Sequence, residues 1–198
     1  MTQEQLRDLL RQDVVAAAPA LLGSTLVYGP MRARIVETEA YRGEDDPACH
    51  AYRKSSMKNM VLFGEPGHAY IYLNYGVHWM LNISAHRSGD AAGILVRAAE
   101  PIEGIEQMRI NRPGVADEEL LNGPGKLCKG FGITQAVNGV DLLDLAGELH
   151  IEAAPEPVAK VITGPRIGLA TGKWHDVPWR FIEADRLRWV SRPRPSVS

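Results

Sequence analysis

The sequence predicts an α+β protein: a single domain with a curved, mostly antiparallel sheet and flanking helices. Three observations predict it. Period-two runs rich in aromatic and branched residues recur along the first half of the chain. These runs sit next to one another across short turns, rather than alternating regularly with helices. The length, 198 residues, fits one domain; the core is expected over about 13–190, with a loose tail over 191–198.

The elements follow in order. Gln3 to Leu22 reads as one helix, with Leu6, Leu9 and Leu10 as its apolar stripe and Pro19 as its end. Ser24–Tyr28 and Arg32–Tyr41 read as strands, and Gly29-Pro30 between them signals a hairpin turn. Residues 42–68 are polar and loop-like. His68–Tyr75 alternates and is aromatic, Gly76 punctuates it, and Val77–Ala85 resumes the strand pattern. Gly93–Ala99 reads as a buried strand that Glu100-Pro101 stops. Helices are expected at Ile102–Asn111 and, shorter, at Asp117–Leu121. The run NGPGKLCKGFGI, residues 122–133, is rich in glycine and lysine. Late strands are expected at Glu148–Ala153 and Arg180–Val190.

Bulk properties exclude several classes. The net charge of −2 does not advertise a polyanion partner, so nucleic-acid binding would need a local basic face. Two cysteines, Cys49 and Cys128, are too few for a stapled secreted domain and fit a reduced cytosolic protein. There is no CxxC, HExxH or histidine pair at i, i+4, so zinc is not expected. The start, MTQEQLRDLL, has no secretory pattern, and no apolar run is long enough to span a bilayer. The expected place of work is the cytoplasm, associated with the nucleoid if the source is bacterial.

The chemistry concentrates in IVETEAYRGEDDPACHAY, residues 35–52. Strand alternation puts Ile35, Glu37 and Glu39 on one face, and Val36, Thr38 and Ala40 on the other. Exposure habits favour a solvent-facing edge for such glutamates, although the strand runs into a tyrosine and a loop, where sites gather. Glu44, Asp45 and Asp46 read as a solvated turn, since calcium-loop spacing is absent. His50 alone is a weak signal. Tyr70, Tyr72 and Tyr75 fit core packing or a stacking platform for bases, with Arg53, Lys54 and Lys58 near enough in sequence for phosphate contacts. GPGKLCKG is not a Walker loop; it is either a phosphate nest or a lysine-bearing turn.

Taken together, LLGSTLV, IVETEAYRGEDDPACHAY, PGHAYIYLNYGVHWMLNIS, GILVRAAEP, GPGKLCKGFGI and RIGLATGKW run in order from about residue 13 to 181. This pattern resembles the 3-methyladenine DNA glycosylase family of the alkyladenine (methylpurine) type. The resemblance implies a base-excision enzyme that flips alkylated or deaminated purines out of duplex DNA and hydrolyses the N-glycosidic bond. It implies Glu39 as the base that activates water, with Arg97 and the backbone carbonyl of Ile167 holding that water. Tyr41 and His50 are implied to flank the flipped base, with Tyr72 stacking on its other face and Asn82 near its edge. Tyr75 is implied as the wedge that fills the gap left in the duplex; Lys126 of GPGKLCKG is expected, from that run itself, as a DNA-binding lysine. His78 departs from the family, which often carries an aromatic there.

Physical chemistry agrees with such a reaction. A base inside a duplex must be extruded to be reached, at a cost of a few kcal/mol. Tyrosine faces attract electron-poor or cationic alkylated purines. Bond cleavage passes through an oxocarbenium-like state that a carboxylate stabilises. No Schiff-base lysine, metal or cofactor is required, so a monofunctional, monomeric enzyme is expected. Two other classes stay open at this stage: a non-catalytic binder of damaged nucleic acid using Tyr72 and Tyr75, and a metal hydrolase using Glu39, Asp45, Asp46 and His50.

Overall fold

The computed structural model describes residues 1–52, 56–57, 59–86 and 90–195. Arg53, Lys54 and Lys58, the candidate phosphate contacts, lie outside the described residues. The fold is α+β, among the described residues a curled sheet of eight strands in which every pairing is antiparallel.

The chain opens with α1 (Gln3–Gln12) and α2 (Val14–Ala20). A capping box between Thr2 and Gln5 starts α1, which buries Leu6 and Leu10. The single helix expected from the sequence breaks at Asp13. That residue is extended, and its carboxylate accepts the backbone N–H of Val15 at 2.8 Å. Aspartate competes for backbone donors in this way, so it ends one helix and caps the next. Pro19 falls in the last turn of α2.

Next come β1 (Thr25–Tyr28), β2 (Met31–Tyr41), β3 (Ala69–Asn74), β4 (His78–Ala85) and β5 (Ala92–Glu103). The first four match the expected strands closely. β5 does not stop at Pro101, which pairs with Ala33 of β2. β4 pairs β5 only over residues 92–95, so the missing N–H at Pro101 breaks no second strand ladder. The helix after it, α3 (Ile105–Asn111), therefore starts later than the periodicity predicts, beyond a left-handed Gly104.

The glycine- and lysine-rich run is neither nest nor turn: Pro124–Phe131 is a helix, α4. Pro124 opens it, and Gly132, with φ of 72°, closes it. The Ile133 N–H returns to the Cys128 carbonyl at 2.8 Å. β6 (Leu149–Glu152), β7 (Val161–Gly164) and β8 (Arg180–Glu183) complete the sheet. β8 is shorter than expected, because Ala184–Trp189 turns into a 3₁₀ segment. β7 has no counterpart in the sequence reading. Asp117–Glu119 is also 3₁₀.

Sheet order is β3-β4-β5-β2-β1-β6, and β8 joins β2 beyond the end of β1. One face carries the main core. Leu6, Leu10, Ala17 and Ala18 pack there with Phe131, Ile35, Ile71, Leu81 and Ile94. The opposite face holds two small apolar clusters, one around Tyr70 and Leu62, the other around Val36, Ala98 and Ile182. The polar residues considered next belong to this second face.

Two irregularities decide which side chains share it. Ile35 pairs with Ala99 and Glu37 with Ala98, so Val36 is an extra residue in β2. Thr38 pairs with Val96, so Arg97 is an extra residue in β5. Bulges of this kind re-aim side chains. They break the expected alternation: Ile35 joins the main core with Ala40, and the Thr38 hydroxyl reaches the Ala18 carbonyl. Val36 falls in the other cluster. Ile35 therefore does not share a face with Glu37 and Glu39.

Candidate active site

Glu39 has no solvent exposure, and neither has Glu37, which overturns the expectation of a wet edge. A buried carboxylate has to be compensated, and Glu39 has three donors. Its Oε1 accepts the Ile167 backbone N–H at 2.7 Å. Its Oε2 accepts the Tyr41 hydroxyl at 2.7 Å and Arg97 Nη1 at 3.2 Å. A carboxylate offers about four lone-pair sites. Among the described residues two are filled on Oε2 and one on Oε1, leaving one on Oε1.

Those three donor residues line a cavity of about 440 Å³. Tyr72, His50, Asn82 and Tyr75 line it too. Glu39 lies behind this wall, reaching it through Tyr41, Arg97 and Ile167. Seven of the nine sequence-derived candidates thus border one cavity, with Glu39 bonded to its wall. Lys126 is the exception: it is exposed on α4 and donates to Asn122 Oδ1 at 2.8 Å.

Tyr70 and Tyr72 come from the same side of β3 and stack at 5.5 Å between centroids. His50 reaches them from the 42–68 loop. Its Nδ1 lies 3.0 Å from the Tyr70 hydroxyl, and its ring meets Tyr72 edge-on at 4.2 Å. His50 and Tyr72 are therefore in contact, and a flat ligand between them would have to part them. Asn82 Nδ2 donates to the Tyr70 carbonyl at 3.3 Å.

Electrostatics keep the phenols neutral. Burial first, then the Glu39 charge, pushes Tyr72 up to about 12. The same two causes, plus its hydrogen bond to Glu39, raise Tyr41 well above the phenol range. Burial opposes the Arg97 charge, but Glu39, Glu37 and Tyr41 together hold its pKa above the ordinary value. Burial, then Lys173, lowers His50.

Tyr75 stands at the β3–β4 hairpin tip, 89% exposed. Tyr75 and Gly76 have φ of 50° and 70°, and the Val77 N–H bonds the Asn74 carbonyl at 3.0 Å. Two successive left-handed residues make the tight primed turn that matches strand twist. A tyrosine there is unusual.

The acidic turn divides. Glu44 and Asp45 are exposed as expected, but Asp46 is not solvated: it is fully buried. Arg166 Nη1 meets Asp46 Oδ2 at 2.5 Å, donates to the Ala40 carbonyl at 3.0 Å, and its Nη2 meets Asp46 Oδ1 at 3.1 Å. The Arg166 guanidinium also lies 4.7 Å from the Tyr41 ring centroid. This pair ties the loop carrying His50 to the segment carrying Ile167. The four residues of the metal-hydrolase alternative do not converge: Asp45 is paired with Arg42, Asp46 with Arg166 and Glu39 with Arg97. Among the described residues no group of three metal-ligating side chains forms.

Sequence reasoning put Asp46 in a solvated turn and singled out neither Arg166 nor Lys173, the last being a cavity-lining lysine. Asp46 and Arg166 are 120 positions apart, and no local pattern links them.

Fold and site define an α+β protein with an aromatic-walled cavity backed by a buried, hydrogen-bonded glutamate. Residues 8–187 match the family model described as Methylpurine-DNA glycosylase (MPG). A relative from Nitrosospira multiformis, named "Putative 3-methyladenine DNA glycosylase", is 46% identical over 180 residues, 90% of this chain and 89% of its own. One of the same name from Methanocella arvoryzae is 45% identical over 183 residues, 89% of this chain and 90% of its own. A third, from Frankia casuarinae, is 40% identical over 199 residues, 95% of this chain and 92% of its own. The chain belongs to the methylpurine-DNA glycosylase family, and its activity class is that of a DNA glycosylase.

Proposed function

We propose that this protein extrudes an alkylated or deaminated purine from duplex DNA into the aromatic cavity and hydrolyses its N-glycosidic bond, leaving an abasic site. Glu39 is the base. The carrying observation is its hydrogen-bond set: three donors hold the carboxylate in place, and one acceptor position on Oε1 is left for a water proton. Arg97 and the Ile167 carbonyl would hold that water from the wall. The carboxylate then opposes the positive charge that develops on the sugar as the bond breaks.

The rest of the cavity serves the base. The Tyr41 and Tyr72 rings offer π faces to an electron-poor purine. His50 moves from its edge contact with Tyr72 as the purine enters, completing the sandwich. Asn82 presents an amide to the base edge. Tyr75 fills the vacated stack. A monomer acting on double-stranded DNA suffices, since one chain supplies every group named.

Duplexes that each carry one lesion, scored for abasic sites, test this reading. 3-Methyladenine, 7-methylguanine, hypoxanthine and ethenoadenine should include at least one that is released. Borohydride should trap no protein–DNA adduct, although Lys173 borders the cavity. Lesion binding without base release would leave only the binder alternative; a trapped adduct would replace water with an amine nucleophile.

A further inference from the structure

The Glu39–Arg97 pair rests on a buried charge cluster that the reaction above does not use. Glu37 Oε1 accepts Arg180 Nε at 2.6 Å and the Ser191 hydroxyl at 2.8 Å. Its Oε2 accepts the Ser191 backbone N–H at 2.7 Å. Arg180 Nη2 also donates to the carbonyls of Ser191 and Pro193, at 3.3 and 3.0 Å. Ser191, at the start of the expected loose tail, is therefore buried and tethered.

Arg97 spans the gap between the two carboxylates. Its Nη1 serves Glu39, while its Nε lies 3.4 Å from Glu37 Oε1 and donates to the Ser191 hydroxyl at 3.3 Å. One hydroxyl thus donates to Glu37 and accepts from Arg97, within its capacity. Two carboxylates and two guanidiniums balance. Such a cluster is weak support for stability, because desolvation offsets most of the attraction. What it does supply is direction: it holds one end of a planar guanidinium so that the other end points at Glu39.

We propose that Glu37 is a positioning residue which, with Ser191 and Arg180, anchors the Nε side of Arg97 and so sets how Arg97 meets Glu39. The inference rests on the assignment of Glu39 as base. Without Glu37, Arg97 is freed from its second anion, and its charge bears on Glu39 alone, making that carboxylate a poorer proton acceptor. The groups facing Glu39 are Glu37 and Tyr41 on β2, Arg97 on β5, Arg180 opposite it on β8, Tyr72 on β3, the Ile167 N–H, and Arg166 beside Tyr41. Only the loss of Glu37 removes an anion from this set.

The test compares Glu37→Gln and Ser191→Ala with the wild type in single-turnover base release, lesion-duplex affinity and melting. Glu37→Gln should release base roughly tenfold to a hundredfold more slowly, with affinity within about twofold of wild type. The acidic limb of its rate profile should move to lower pH. Ser191→Ala should slow release several-fold, with affinity unchanged and the limb in place. Wild-type release by both variants overturns the proposal. So does a slow Glu37→Gln whose acidic limb coincides with that of the wild type, since a general structural loss would do the same. If Glu37→Gln does not fold, Ser191→Ala decides alone, and wild-type release by it is the overturning result. Wild-type release by Glu39→Gln, in contrast, removes the assignment of the base and not merely its support.

Discussion

Replacing Tyr75 with asparagine should stabilise the protein and disable it at once. Tyr75 occupies the first of two left-handed positions in the hairpin tip, with φ of 50°, and Gly76 takes the second. A non-glycine residue there costs roughly 1–2 kcal/mol, and asparagine tolerates the conformation best of the others. The ring, at 89% exposure, returns almost no burial to offset that cost. The substitution should therefore gain about 1 kcal/mol, or roughly 2–4 °C in Tm for a domain of this size. The same change removes a flat ring that restacks the gap in the duplex. Stacking on an aromatic side chain is worth about 1–3 kcal/mol, so affinity for a lesion duplex should fall by roughly fivefold to more than a hundredfold at fixed salt. Calorimetry reads the first effect and fluorescence anisotropy the second. A lowered Tm would refute the strain argument; undiminished affinity would refute the wedge.

Other outcomes follow from the same geometry. Asp46→Asn leaves Arg166 buried without its anion, which should cost about 3–5 kcal/mol in denaturant unfolding and slow base release by loosening the Ile167 segment; a loss under 1 kcal/mol would mean the pair is solvated. His50, lowered by burial and then by Lys173, should titrate by NMR below the ordinary value of about 6.5. Because its folded-state pKa is the lower one, the unfolded chain takes the proton first, and His50's contribution to stability declines as pH falls below that value. Titration above the ordinary value would mean that an anion, not desolvation, dominates around the ring.

Much of this architecture is local in origin, and what is local is legible. The strand Met31–Tyr41 and the hairpin Ala69–Ala85 declare themselves by alternation and by Tyr75-Gly76 between them. Alternation fails where the backbone gains a residue. The extra positions at Val36 and Arg97 cannot be seen from period-two counting, yet they decide that Arg97 meets Glu37 and Glu39. Glycine content disguised α4, although Pro124 and Gly132 are correct start and stop residues. Asp13 hid a helix break because its effect is a single side-chain bond to Val15. Contacts across long separations left no trace in the sequence: Asp46 to Arg166, and Glu37 to Ser191, 154 positions apart. The cavity residues were reached by resemblance to a family, not by spacing, and the fold gathers them except for Lys126.

The central claim is that the Glu39 carboxylate primes the water that displaces the purine. Glu39→Gln keeps the shape of the side chain while removing its basicity. In single-turnover reactions on a duplex with one alkylated purine, the variant should bind as tightly as the wild type and release base about 10²–10⁴-fold more slowly. Release at the wild-type rate would contradict the account.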